Sequence, residues 1–163
     1  MGYTTEFEGA FELDKPLSDE HAAYLNKFRE TRRYARDAKI AKTLPDPIRE
    51  AAGLPIGDFG EYFVGGTGFL GQDRDASTLD SNIPPPGQPD LWCHWLPTED
   101  HKGIKWDEGE KFRKYVDWIK YIIKHFLKPW GYTLNGSVLW NGVDVGDTGR
   151  IIIVDNVVER ITY

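Results

Sequence analysis

The sequence predicts an α+β protein built on an antiparallel sheet with two helices, and three observations carry that expectation. Strict alternation over residues 3–13 marks a strand. An apolar stripe at helical spacing from Phe112 to Phe126 marks a helix, and three short strand-like runs follow Gly131.

Taken in order, Tyr3, Thr5, Phe7, Gly9, Phe11 and Leu13 share one face of the first strand. Thr4, Glu6, Glu8, Ala10 and Glu12 share the other, the pattern of a half-buried strand with a charged solvent side. Asp14-Lys15-Pro16-Leu17 turns the chain. Ser18 suits a helix N-cap, and Asp19 and Glu20 complement the positive end that follows. A helix is therefore expected from 19 to about 36, burying Tyr24, Leu25 and Phe28 and ending in the basic group Arg32, Arg33 and Arg36.

Residues 43–90 are dominated by proline and glycine, and only Glu61–Val64 looks strand-like. Irregular stretches of that length are functional or mobile. With no repeat and no second core in view, the chain reads as one domain over 1–163 with an irregular Pro/Gly-rich excursion at about 43–90.

Order returns at Leu91–Leu96, a strand that turns through Pro97–Lys102 into its hairpin partner Gly103–Trp106. Phe112, Tyr115, Val116, Ile119, Ile122, Ile123 and Phe126 then form the buried stripe of a helix. Glu110 and Lys114 are spaced to support it, Lys124 and Lys128 suit its C-terminal end, and Pro129 and Gly131 stop it. A three-stranded meander closes the chain: a strand within Tyr132–Trp140, a polar loop to Gly149, Arg150–Val154, and a tight turn at Asp155-Asn156 into Val157–Thr162. Sequential antiparallel strands with two helices on one face make an α+β sandwich, of which a ferredoxin-like variant is one form.

Composition narrows the function classes. At 163 residues the chain is long enough to bury a core without staples. Its single cysteine, Cys93, excludes an intramolecular disulfide and suits a reducing cytoplasm. A net charge of −6 disfavours nucleic acid and anionic lipid as partners. The longest apolar run is Ile151–Val154, so no membrane span is expected, and the N-terminus lacks a secretory pattern. Six Trp, eight Tyr and eight Phe supply more aromatic surface than a core alone requires sorting into core and binding roles.

Candidate motifs thin out quickly. Gly66-Thr67-Gly68-Phe69-Leu70-Gly71 fits G-x-G-x-x-G, but the glycines lead into a polar run and three prolines instead of the helix that must meet a pyrophosphate. Cys93 and His94 are strand neighbours and point to opposite faces, so they form no dyad, and a lone cysteine there reads as a small buried hydrophobe. Asp144, Asp147 and Asp155 punctuate a loop as turn residues do, without calcium-loop spacing, so neither a metal nor a cofactor is expected. Asp107, Glu108 and Glu110 read as helix-start carboxylates.

Two features remain as a binding surface. The strand at 91–96 is apolar on both faces, and Trp92 or Trp95 would stack on a planar ligand with His94 as a polar handle. Arg32 and Arg33, joined by Arg74 from the excursion, would supply forked donors to phosphate or carboxylate, although a solvated basic helix end is the commoner reading of such a cluster.

Several segments carry a family resemblance across nearly the whole chain. Gly2-Tyr3-Thr4-Thr5-Glu6-Phe7-Glu8-Gly9, Gln88-Pro89-Asp90-Leu91-Trp92-Cys93-His94-Trp95 and Pro129-Trp130-Gly131-Tyr132-Thr133-Leu134-Asn135-Gly136 are the clearest. The chain resembles a widespread family of small bacteriophage and bacterial, often actinobacterial, proteins. The resemblance transfers no functional residue. It implies the cytoplasm of a bacterial host cell and a phage accessory role. The expectation is a non-catalytic binding protein that sequesters a nucleotide-like signalling molecule of host defence or binds a host protein, as a homo-oligomer. The rival expectation is a small hydrolase or transferase acting through His94 and nearby carboxylates.

Overall fold

The computed structural model describes residues 3–66 and 74–163. In chain order the elements are β1 (Glu6–Glu8), β2 (Ala10–Leu13), α1 (Asp19–Glu30), β3 (Ala35–Arg36), α2 (Ala38–Ala41), α3 (Pro47–Ala51), β4 (Thr78–Asp80), β5 (Trp95–Pro97) and β6 (Gly103–Trp106). Then come α4 (Tyr115–Ile122), a π-helical turn (Ile123–Leu127), α5 (Lys128–Trp130), β7 (Leu134–Asn141), β8 (Thr148–Val154) and β9 (Val157–Thr162). The result is α+β with antiparallel pairing throughout, and the main sheet has seven strands, well beyond the expected terminal meander. The chain forms two compact units, one comprising Met1–Leu17 with His94–Tyr163 and the other Ser18–Cys93.

The first unit holds the sheet, ordered β5-β6-β2-β7-β8-β9, with β1 also paired to β7. The expected single strand at 3–13 is divided at Gly9, whose φ of +100° favours glycine and whose missing side chain would otherwise crowd the Ser137 carbonyl at 3.3 Å. The break lets β1 pair with the Leu139–Asn141 end of β7 while β2 pairs with both β6 and the Leu134–Asn135 end. Alternation then places Phe7, Phe11, Ile104, Val138, Trp140, Ile151 and Ile153 on one buried face, with Glu6, Glu8 and Glu12 on the other side. Of the expected stripe, Phe112, Ile119, Ile122, Ile123 and Phe126 are buried and Tyr115 and Val116 half-buried, while Trp118, outside the stripe, is buried as well.

The second helix departs from expectation at both ends. It begins at Tyr115, so Glu110 and Lys114 are not a turn apart within it. Pro129 does not stop it: a π-helical turn precedes the proline, α5 carries it, and Gly131 at φ 88° ends the run. The meander turn falls where Asp155-Asn156 indicates, with both residues at positive φ (47° and 69°), the requirement of a two-residue hairpin.

The second unit contains α1, capped as expected by Ser18, whose Oγ accepts the His21 N–H at 3.2 Å. The helix is shorter than expected and ends at Glu30, because the Thr31 hydroxyl donates to the Lys27 carbonyl and the backbone turns extended. Arg32, Arg33 and Arg36 therefore lie beyond the helix, and Arg36 sits in β3. Glu61–Val64 forms turn and coil. Asp46, buried, ties this stretch together: one carboxylate oxygen accepts the Val64 and Gly65 N–H groups at 3.2 and 2.9 Å, and the other accepts Arg49 Nε at 2.5 Å. Burial, the largest influence on it, holds the Asp46 carboxyl above the ordinary aspartate range despite these donors. Among the described residues no helix is long and apolar enough to cross a membrane.

Candidate functional site

The six residues expected to bind ligand fall in both units: Trp92, Arg32, Arg33 and Arg74 in one, His94 and Trp95 in the other. Trp95 is core. It is 1% exposed, its indole N–H donates to the Tyr115 carbonyl at 2.9 Å, and Phe7 and Phe11 pack on it at 5.4 and 5.6 Å. Trp92 is half-buried and lies before β5, outside any strand, while alternation still buries Cys93.

The arginines hold their own unit together. Arg33 donates to the Phe63 and Glu61 carbonyls at 2.8 and 2.5 Å, with its guanidinium over the Phe28 ring at 4.3 Å. Arg32 donates to the Ser81 carbonyl at 2.9 Å and to Asn82 Oδ1 at 3.3 Å. Arg36 is sandwiched between Tyr34 and Phe63, each at 4.4 Å, and bonds Asp75 and Ser77 at 2.9 Å. These donors satisfy carbonyls of the 43–90 stretch that has little regular structure to satisfy them itself. Arg74 is exposed. The glycine loop lies outside the described residues apart from Gly66, because 67–73 are not among them.

His94 has a different setting. Its Nδ1 lies 3.0 Å from both oxygens of Asp107, and the carboxylate also accepts the Gly109 N–H at 2.7 Å. The Asp107 N–H donates back to the His94 carbonyl at 2.9 Å, and Phe112 packs edge-on against the imidazole at 5.0 Å. A side chain at position 109 would collide with the His94 ring, so glycine is required there. Asp107 therefore pins the ring and its Nδ1 proton, leaving Nε2 as the accessible nitrogen, and the same bonds fix the start of the 107–114 loop.

That loop opens onto a cleft of about 570 Å³ that sequence reading missed, and it lies wholly within the first unit. Lys111, Arg113 and Lys114 approach from the loop, Arg160 from β9, and Tyr3, Tyr115 and Asp147 complete the walls. Lys111, Lys114 and Arg160 make no ion pair and no side-chain hydrogen bond among the described residues. Arg160 is held flat on the Trp140 indole, 4.6 Å from the ring centroid.

The single carboxylate is already occupied. Asp147 accepts Trp140 Nε1 at 3.0 Å through one oxygen and the Tyr3 hydroxyl through the other. Those bonds, Tyr3's first, hold its carboxyl below the ordinary range, with Arg160 adding to the effect. The same bond raises the Tyr3 phenol, while burial raises that of Tyr115. A Cβ at position 142 would displace the Asp147 carboxylate and the Tyr3 hydroxyl, so glycine there leaves room for their hydrogen bond.

The loop backbone is also unusual. Glu108, Lys111 and Lys114 take φ of 66°, 59° and 59°, the left-handed region where side chains with a Cβ are disfavoured. Strain of this kind concentrates at ligand sites. Comparison with protein-family models, with curated proteins and with solved structures yields no match for this chain. Among the described residues no group of three or more His, Cys, Asp or Glu side chains is placed to hold a metal ion. The signal in the sequence was Lys111, Arg113 and Lys114 within four residues, directly after the acidic Asp107–Glu110.

Proposed function

We propose that this chain is a non-catalytic binding protein that captures a small, phosphate-bearing, nucleotide-like molecule in the Lys111–Lys114–Arg160 cleft. Sequestration of a signalling nucleotide in a bacterial host, as expected of a phage accessory protein, is the corresponding biological role. One observation carries the reading: three cations that make no ion pair or side-chain hydrogen bond among the described residues, with Asp147 the one carboxylate beside them, line a cleft of about 570 Å³ in a protein of net charge −6. That volume lies in the usual small-molecule range. Charge-assisted bonds from Arg160 and the lysines are the strong contacts such a ligand would make. The strand order β5-β6-β2-β7, antiparallel at each step, supports the finer fold reading of a ferredoxin-like variant extended by β8 and β9.

The pinned His94–Asp107 pair favours one rival, a hydrolase or transferase in which Nε2 takes a proton. One experiment separates them. The protein is incubated with a nucleotide panel, and bound ligand is released by heat and analysed. Intact ligand, with binding weakened at least about 10-fold in Lys111→Met and Arg160→Met, supports capture. A chemically altered product whose formation is lost in His94→Ala sinks capture in favour of catalysis.

A further inference from the structure

We infer that the ligand of this cleft is a nucleotide with two phosphoryl groups whose planar base stacks on Tyr3. The inference rests on the capture reading and specifies its ligand. Tyr3 is 43% exposed, yet its ring does not swing freely: the hydroxyl donates to Asp147 and accepts the Asp144 N–H at 3.2 Å. An exposed aromatic ring tethered at its far end is a ready stacking platform, with its ordering entropy already lost before a base arrives. Gly142 leaves room for this bracket, since a Cβ there would displace both the Asp147 carboxylate and the Tyr3 hydroxyl.

The cations divide by element. Lys111 and Lys114 stand on the loop before α4, where the first turn of that eight-residue helix has no side-chain cap. Arg160 stands on β9, immobilised on Trp140 with the edge of its guanidinium left to donate. Asp147 carries one negative charge against them, and both of its oxygens already accept hydrogen bonds. With Arg113 the cations that line the cleft exceed Asp147 by three charges (4 − 1 = 3), so a single monoanionic phosphodiester would leave most of this charge unmatched. Two phosphoryl groups, one at the loop and one at the Arg160 fork, match it.

Titration calorimetry at fixed, low ionic strength with inorganic phosphate, pyrophosphate, adenosine 5′-monophosphate and adenosine 5′-diphosphate tests this directly. The diphosphate nucleotide is expected to bind about 10- to 100-fold more tightly than the monophosphate, and about 10-fold more tightly than pyrophosphate. Tyr3→Leu should cost the nucleotide about 10-fold more than it costs pyrophosphate, and the residual pyrophosphate binding shows that the variant is folded. Tyr3→Phe, which keeps the ring and loses the tether, should fall between. Equal affinity for mono- and diphosphate, or equal losses for nucleotide and pyrophosphate in Tyr3→Leu, would overturn this inference while the capture reading stands. Absence of binding by all four probes would overturn the capture reading itself.

Discussion

Replacing Lys111 and Lys114 together by glycine should make the protein more stable and a poorer binder. Both residues hold a left-handed backbone, with φ of 59° each, and both are exposed, so truncating them removes little packing. Relieving the clash of Cβ with the carbonyl is worth about 1–2 kcal/mol per residue. Against this, glycine adds about 0.4–1 kcal/mol of unfolded-state entropy to be lost on folding. The net is about 0.5–1 kcal/mol per site, or about 1–2 kcal/mol for the pair if the sites add. In a chain of this size that raises Tm by about 2–8 °C, readable by calorimetry and by the midpoint of urea unfolding. Affinity for a phosphate-bearing probe should fall by at least about 100-fold, since two charge-assisted contacts are lost. Single variants Lys111→Gly and Lys114→Gly should each give about half of both effects in free energy. A double variant less stable than the parent would refute the strain assignment. A more stable one with unchanged affinity would refute the role of the loop as the anion-binding wall.

Arg33→Met should destabilise by about 1–3 kcal/mol in urea unfolding, because it strips the carbonyl of buried Phe63 of its donor and leaves the Glu61 carbonyl to Gln88 alone; a loss under about 1 kcal/mol would show that water replaces it. Gly149→Ala should cost about 3 kcal/mol or more, since a methyl group there meets the Ile161 carbonyl and the Trp140 ring, and a neutral result would show that β8 and β9 can separate locally. The depressed carboxyl of Asp147 carries a pH signature with a definite sign. Its folded value lies below the ordinary aspartate value, so its contribution to stability is complete above the unfolded value and is lost as pH falls through the folded one. The difference in Tm between parent and Asp147→Asn should therefore be constant above about pH 5 and shrink towards about pH 3, and a difference that grows on acidification would contradict the assignment.

What the sequence determined by itself is local. The alternation of Phe7 and Phe11 with glutamates, the Ser18 cap, the stripe ending at Phe126 and the Asp155-Asn156 turn all act over a few residues, and each appears in the structure where the pattern places it. Where two local signals competed, sequence reading slipped: the acidic run at Asp107–Glu110 resembles a helix start, but His94 draws Asp107 into a clasp and the helix waits until Tyr115. Tertiary structure alone decided what the cations do. Arg33 and Arg36 look like free charges on paper, and only folding shows that carbonyls and carboxylates of the 61–88 stretch surround them. Lys111, Lys114 and Arg160 look no different on paper, yet among the described residues they make no ion pair or side-chain hydrogen bond, and they share a cleft with a tyrosine 108 or more positions away from them (111 − 3 = 108). A cleft assembled from residues near both ends of the sequence has no sequence period to betray it, because pairing across β1, β7, β8 and β9 brings Tyr3, Asp147 and Arg160 together.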